Sequence, residues 1–158
     1  MELTHPTPFF YGRSENRINE KGQVALPARF RSALSEDEQK QGLVLIQGEA
    51  ECLYAYTHQQ FRVIADRVRE DAATRDDAGF LRDFFESAHG VDLDPQGRLV
   101  IPAELRAKAG LAGPEIIFIG HDDRIEIWDA ASRRTERERT STEFESKRRA
   151  QARRIFGA

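Results

Sequence analysis

A chain of 158 residues, 39% apolar and 32% charged, has material for one compact domain or two small intertwined ones, with much of its surface left to water or a charged partner. Its apolar runs are too short to span a bilayer, and its single cysteine, Cys52, excludes an internal disulfide framework and a multi-cysteine zinc site. The net charge of −3 argues mildly against a nucleic-acid partner, and Met1 to Pro6 lack the basic start and apolar stretch of a secretory signal, so a cytoplasmic protein is expected.

Residues 1–9 are punctuated by Pro6 and Pro8 and read as loose, and 10–18 read as a strand with weak alternation. Glu20-Lys21-Gly22 is a turn, since glycine takes the positive φ that a tight turn requires. Val24-Ala25-Leu26 is a short strand ended by Pro27, which cannot donate to a sheet but suits the first turn of a helix over Ala28 to Leu34. Val44-Leu45-Ile46 and Cys52 to Tyr56 are two strands joined through Gly48 and Glu49. Thr57 followed by Gln60 has the spacing of a capping box, and Phe61, Ile64, Ala65 and Val68 share one face of the helix behind it. The polar run Asp71 to Asp77 breaks that helix. A second follows with Phe80, Leu81, Phe84, Phe85 and Ala88 on one face, a cluster suited to core or subunit contact, and His89-Gly90 ends it. Then come a strand, a turn at Pro95-Gln96-Gly97, the strand Leu99 to Ile101, Pro102, and a helix from Ala103 to Ala109 closed by Gly110. The strands Ile116 to Ile119 and Arg124 to Trp128 follow. From Ala130 on, nine Lys/Arg stand against four Glu, a net of +5 that leaves −8 for the residues before it. This tail is either a solvated helix with a basic face or a segment with its own job.

The order is written twice. Ile18 to Arg31 and Leu93 to Arg106 share their glycine and proline at an offset of 75 (Gly22 with Gly97, Pro27 with Pro102), and aligning Gly48 with Gly120 at an offset of 72 puts Leu53 on Ile125 and Tyr56 on Trp128. Each unit reads strand, turn, strand, short helix, strand, turn, strand. Four short strands leave exposed edges and cannot bury both faces of their sheet, so the two units are expected to interleave hairpins into one pseudo-two-fold β-barrel. The fold class is mainly β with α.

The run Asp94-Pro95-Gln96-Gly97-Arg98-Leu99-Val100-Ile101-Pro102 resembles the swapped-hairpin, AbrB-like DNA-binding fold, and two such blocks in one chain resemble the MraZ family of bacterial transcriptional regulators. The runs Phe80 to Ala88 and Gly120 to Trp128 are also like that family, and the resemblance covers roughly 9–130. It implies a double-split β-barrel of two AbrB-like repeats at 10–57 and 90–130, with linking helices at 58–89 and a basic helical tail at 131–158. It implies a repressor acting on repeated operator boxes in duplex DNA upstream of the division and cell-wall gene cluster. It also implies a ring-like homo-oligomer, most simply an octamer, associated with the nucleoid and without a cofactor.

The residues of the motif fit that implication on their own terms. Asp94 and Arg98 flank a tight turn, where an Asp caps turn amides or holds a guanidinium at a fixed angle. An oriented Arg bridges phosphates or reads guanine bidentately, and a two-stranded ribbon is a shape the major groove admits. The same pair also serves as an ordinary turn ion pair with no ligand. The first block has Asn19 and Gln23 in place of the charged pair; Arg17 and Lys21 lie beside that turn and are candidates for phosphate contact. Gln96, Arg31 and Arg106 complete the DNA-binding candidates, the two arginines standing at matching positions in their helices. His121-Asp122-Asp123 reads as a polar hairpin turn, because adjacent residues seldom converge on one metal ion. Cys52 reads as a small buried hydrophobe. The glycines are dispersed and form no phosphate loop, His5, His58 and His89 have no nucleophile or ligand partner at a telling spacing, and no enzyme is expected. The alternative is a ring-forming structural or protein-interaction module whose basic tail docks a partner.

Overall fold

The computed structural model describes residues 7–157, and His5 lies outside them. Its strands are β1 (Arg13–Arg17), β2 (Gln23–Ala25), β3 (Leu43–Gln47), β4 (Leu53–Thr57), β5 (His89–Val91), β6 (Arg98–Val100), β7 (Glu115–His121) and β8 (Arg124–Asp129). Its helices are α1 (Ala28–Arg31), α2 (Glu36–Gln41), α3 (His58–Arg75), α4 (Ala78–Ser87), α5 (Ala103–Lys108) and α6 (Ala130–Phe156). The fold is α+β. Six strands form an antiparallel sheet in the order β1-β7-β8-β4-β3-β5, and β2 pairs with β6 in a separate ribbon.

The two repeats interleave in both sheets, and the registers carry the symmetry that the sequence offsets describe. Val24 faces Leu99 in the ribbon, and Tyr54 faces Glu126 where β4 meets β8. These are the residues that offsets of 75 and 72 equate, so a pseudo-two-fold axis runs through both pairs. Thr57 and Asp129 are equivalent in turn, and each caps the helix that follows: Thr57 Oγ1 accepts from the Gln60 amide and Asp129 Oδ2 from the Ser132 amide, both at 3.1 Å. Equating Gly48 with Gly120 slips by one residue along β3. Leu43 faces Thr57 as Ile116 faces Asp129, because the first hairpin turn is one residue longer than the second.

One hydrophobic core joins ribbon and sheet. Val24, Leu26, Leu99 and Ile101 point inward from the ribbon and meet Leu43 and Leu45 of β3, Ile116 and Phe118 of β7, and Phe30, which is 1% exposed. Phe10 packs edge-on against Phe30. Ile117 points to the opposite face of the sheet, where it packs with Cys52, Trp128 and Ala130 under the start of α6. No helix among the described residues is long and apolar enough to cross a membrane.

Three expectations change and a fourth narrows. The closed barrel is not formed: β1 and β5 remain the edges of an open sheet. Pro27 and Pro102 cut β2 and β6 to three residues each, so these strands pair with one another and not across the gap. The helix break narrows to Asp76 and Asp77. Asp71 is not a breaker, because Arg75 one turn on bonds it at 3.1 Å; Asp76 takes the left-handed conformation and the Asp77 carboxylate accepts from the Phe80 amide. Thr57 caps without a box, since the Gln60 side chain donates instead to Asp123 at 2.9 Å. The box is at Ser35 and Glu38, opening the unforeseen α2. The aromatic face of α4 belongs to no core, since α4 has no buried residue.

Candidate nucleic-acid interface

The ribbon presents one turn from each repeat, at opposite ends. In the second, Asp94 Oδ1 accepts from the amides of Gln96 and Arg98, both at 2.9 Å. Its other oxygen accepts from Arg98 Nε at 2.7 Å, and Arg98 Nη2 donates to Gln96 Oε1 at 2.7 Å. The guanidinium has five N–H donors, so three remain free of protein partners. The Arg98 amide above all, then the Arg98 side chain and the Gln96 amide, hold the Asp94 carboxyl below its ordinary pKa. Asp94 therefore stays charged, and Arg98 stays oriented, at every pH above the usual carboxylate range.

The first turn repeats this geometry without charge. Asn19 Oδ1 accepts from the amides of Lys21 at 3.1 Å and Gln23 at 2.8 Å. Its amide nitrogen reaches Gln23 Oε1 at 3.4 Å, where the other turn has an ion pair. The backbone matches as well. The Asn19 amide donates to the Gln23 carbonyl as the Asp94 amide does to that of Arg98. Gly22 and Gly97 close the turns at φ +86° and +78°.

Strand alternation decides what faces outward. Val24 and Leu99 go to the core, so Gln23, Ala25, Arg98 and Val100 share the outer face of the ribbon. Gln23 faces Val100 and Ala25 faces Arg98, which puts Gln23 and Arg98 diagonally about 8 Å apart. A shallow recess of about 450 Å³ brings together Arg17, Asn19, Gln23 and Arg98. Arg17 is well exposed and reaches Glu115 only at 3.7 Å, and Lys21 stands exposed on the turn.

Arg31 and Arg106 each reach the turn of the other repeat. Arg31 Nη1 donates to the Gln96 carbonyl, so an arginine of the first repeat holds the turn of the second. Arg106 returns the contact, donating to Ile101 O at 3.0 Å and to Glu20 O at 3.4 Å in the first turn. Sequence reasoning missed Val100, which is 51% exposed on the outer face. Its signal was present: Arg98, Leu99 and Val100 must alternate, and Leu99 is the inward residue. The His121 segment forms a hairpin turn with Asp122 at φ +64°, and no group of three metal-ligating side chains occurs among the described residues. Burial pushes the Cys52 thiol up to about 12, which leaves it an inert hydrophobe.

Comparison with known proteins places this geometry. The family model described as "MraZ protein, putative antitoxin-like" matches twice, at residues 9–83 and 84–154, so each match takes in one turn and the long helix behind its second hairpin. The chain is 39% identical over 122 residues to a protein named transcriptional regulator MraZ from Arthrobacter sp. (strain FB24), covering 77% of this chain and 82% of that one. It is 40% identical over 122 residues to the protein of that name from Paenarthrobacter aurescens, covering 77% and 81%, and 36% identical over 121 residues to that from Acetivibrio thermocellus, covering 76% and 80%. A duplicated turn found twice by one family model, within relatives aligned over three quarters of the chain, leaves one conclusion: the chain belongs to the MraZ family.

Proposed function

We propose that this chain is a sequence-specific DNA-binding regulator that represses transcription from promoters carrying repeated operator boxes. The observation that carries the reading is Arg98, held by Asp94 and Gln96 on the outer face of a two-stranded ribbon with three donors unspent. A guanidinium fixed in this way offers the fork that pairs with guanine O6 and N7. Gln96, Gln23 and Asn19 supply neutral contacts to base edges, Val100 an apolar contact for a thymine methyl, and Arg17 and Lys21 reach phosphates. Arg31 and Arg106 act behind the surface, holding each turn in place from the other repeat. The names of the relatives support a regulator.

In this reading the two DNA-facing units are 10–57 and 90–130, interleaved through the ribbon and the open sheet, with 58–89 linking them and 131–158 as a basic tail. The protein acts in the cytoplasm on the nucleoid, upstream of the division and cell-wall genes. One subunit offers two small turn surfaces on a chain that is acidic overall, so a single engaged subunit binds weakly. A homo-oligomeric ring, an octamer by family resemblance, links several such sites and raises their effective concentration. Fluorescence anisotropy on a duplex with three spaced boxes and on a duplex with one box tests this. The reading expects affinity higher by about a hundredfold or more on the spaced boxes. Equal affinity for both duplexes, or for a scrambled one, refutes it.

A further inference from the structure

The helical hairpin leaves an acidic, aromatic groove open, and the far end of α6 is a basic helix with nothing packed on it. Phe84 of α4 stacks on Phe61 of α3 at 5.9 Å between ring centroids, which fixes the hairpin, while Phe80 stays 50% exposed. Between α4, the β3–β4 turn and α5 lies a groove of about 700 Å³ lined by both Phe80 and Phe84. Its rim carries Glu49, Asp83 and Glu86, none of which makes an ion pair among the described residues. The lysine lining it, Lys108, is taken by Glu104 at 3.2 Å. The groove is thus an apolar floor with three unmatched carboxylates.

The end of α6 has the complementary composition. Residues 141–151 and 153–157 are exposed, and Phe156 is 80% exposed. Lys147 and Arg148 are paired along the helix with Glu143 and Glu145, but Arg149, Arg153 and Arg154 make no ion pair among the described residues. Arg149, Ala152, Arg153 and Phe156 follow the i, i+3, i+4, i+7 spacing and so lie on one face. An aromatic ring flanked by unmatched arginines faces water at one end of the chain, and unmatched carboxylates flank an aromatic floor at another.

We propose that the basic end of α6 from a second copy seats in this groove, with Phe156 against Phe80 and Phe84, and Arg149 and Arg153 against Asp83 and Glu86. This is helix-in-groove recognition, with charge setting register and apolar contact adding affinity. The occupant is a second copy because both complementary surfaces belong to one chain, and its own α6 carries the segment out into solvent. The contact is heterologous, since tail meets groove, so it propagates from copy to copy and closes only where the rotation allows. The inference rests on the self-association in the reading above and not on DNA binding.

Light scattering on the full chain without DNA tests it, using Asp83→Lys with Glu86→Lys in the groove and Arg149→Glu with Arg153→Glu in the tail. All four positions are exposed, so circular dichroism and the unfolding midpoint should match the parent. Each variant alone should associate about tenfold or more weakly and fall in mass at micromolar concentration. Mixed in equal amounts, the two should regain the parent mass, because reversed tail then meets reversed groove and native tail meets native groove. An oligomeric parent whose mass neither variant lowers overturns this inference and leaves the ring standing. A mixture that fails to recover overturns it too, and a parent that is monomeric throughout overturns both.

Discussion

A single Asp94 carboxylate binds two backbone amides of its turn and the guanidinium that follows, so the shape of the loop and the aim of Arg98 are set by the same group. Asn19 sets the shape of its loop equally well and aims nothing charged. The two turns should therefore contribute unequally to DNA binding. Asp94→Ala with Arg98→Ala should cost more affinity than Asn19→Ala with Gln23→Ala, by about 1–3 kcal/mol per engaged subunit. Side-by-side anisotropy on one operator checks this, and an equal or larger loss from the first-turn variant contradicts it. The two glycines differ as well. A Cβ on Gly22 would lie 2.5 Å from the Ile101 carbonyl, which is backbone and cannot yield, whereas a Cβ on Gly97 would meet the end of the flexible Arg31 side chain. Both sit at positive φ, where a side chain costs about 1–2 kcal/mol. Gly97→Ala should thus lower stability by about that much and Gly22→Ala by clearly more, read as shifts in urea midpoint at unchanged m-value.

Among the elements, the ribbon owes its position to contacts that cross between repeats. Each turn is held by an arginine of the other repeat's short helix, and each glycine carbonyl accepts from the opposite strand: Leu26 N donates to Gly97 O and Ile101 N to Gly22 O, both at 2.8 Å. Arg31→Ala should therefore loosen the distant second turn and weaken operator binding about tenfold, although Arg31 keeps its guanidinium on the Gln96 carbonyl. Amide exchange should quicken at Gln96 and Arg98 and stay unchanged at Lys21 and Gln23. If both turns change alike, or neither does, the cross-repeat hold is wrong. The turns, prolines and strands of the ribbon were legible in sequence because glycine and proline mark backbone geometry locally and the copy repeats them. The reach of Arg31 and Arg106 was not legible, since it spans 65 and 86 residues and arises only once the repeats interleave. The open sheet escaped for a related reason: edge pairing depends on how far each strand runs before its proline. Helix α2 escaped because Glu36 to Gln41 is wholly polar and shows no apolar period. Its Ser35–Glu38 capping box was there to be read.

At the scale of the whole molecule, charge is divided. The tail carries a net +5 and the rest −8, so the body as a whole repels DNA while two turn surfaces and the tail attract it. An acidic protein that binds DNA must do so through few, well-placed cations, and its affinity must depend on them individually. A basic-patch binder spreads the same energy over many lysines and loses little with any one of them. The salt dependence of binding separates the two, because the slope of log affinity against log salt is about −0.9 per phosphate contact on B-DNA. The most direct test is the preference for operator over scrambled duplex, measured by anisotropy on duplexes with spaced boxes, for the parent and for Arg98→Ala. Arg98→Ala should lose the preference for operator over scrambled duplex while keeping the parent fold and mass. An Arg98→Ala protein that still prefers its operator, with the parent's affinity, contradicts that role.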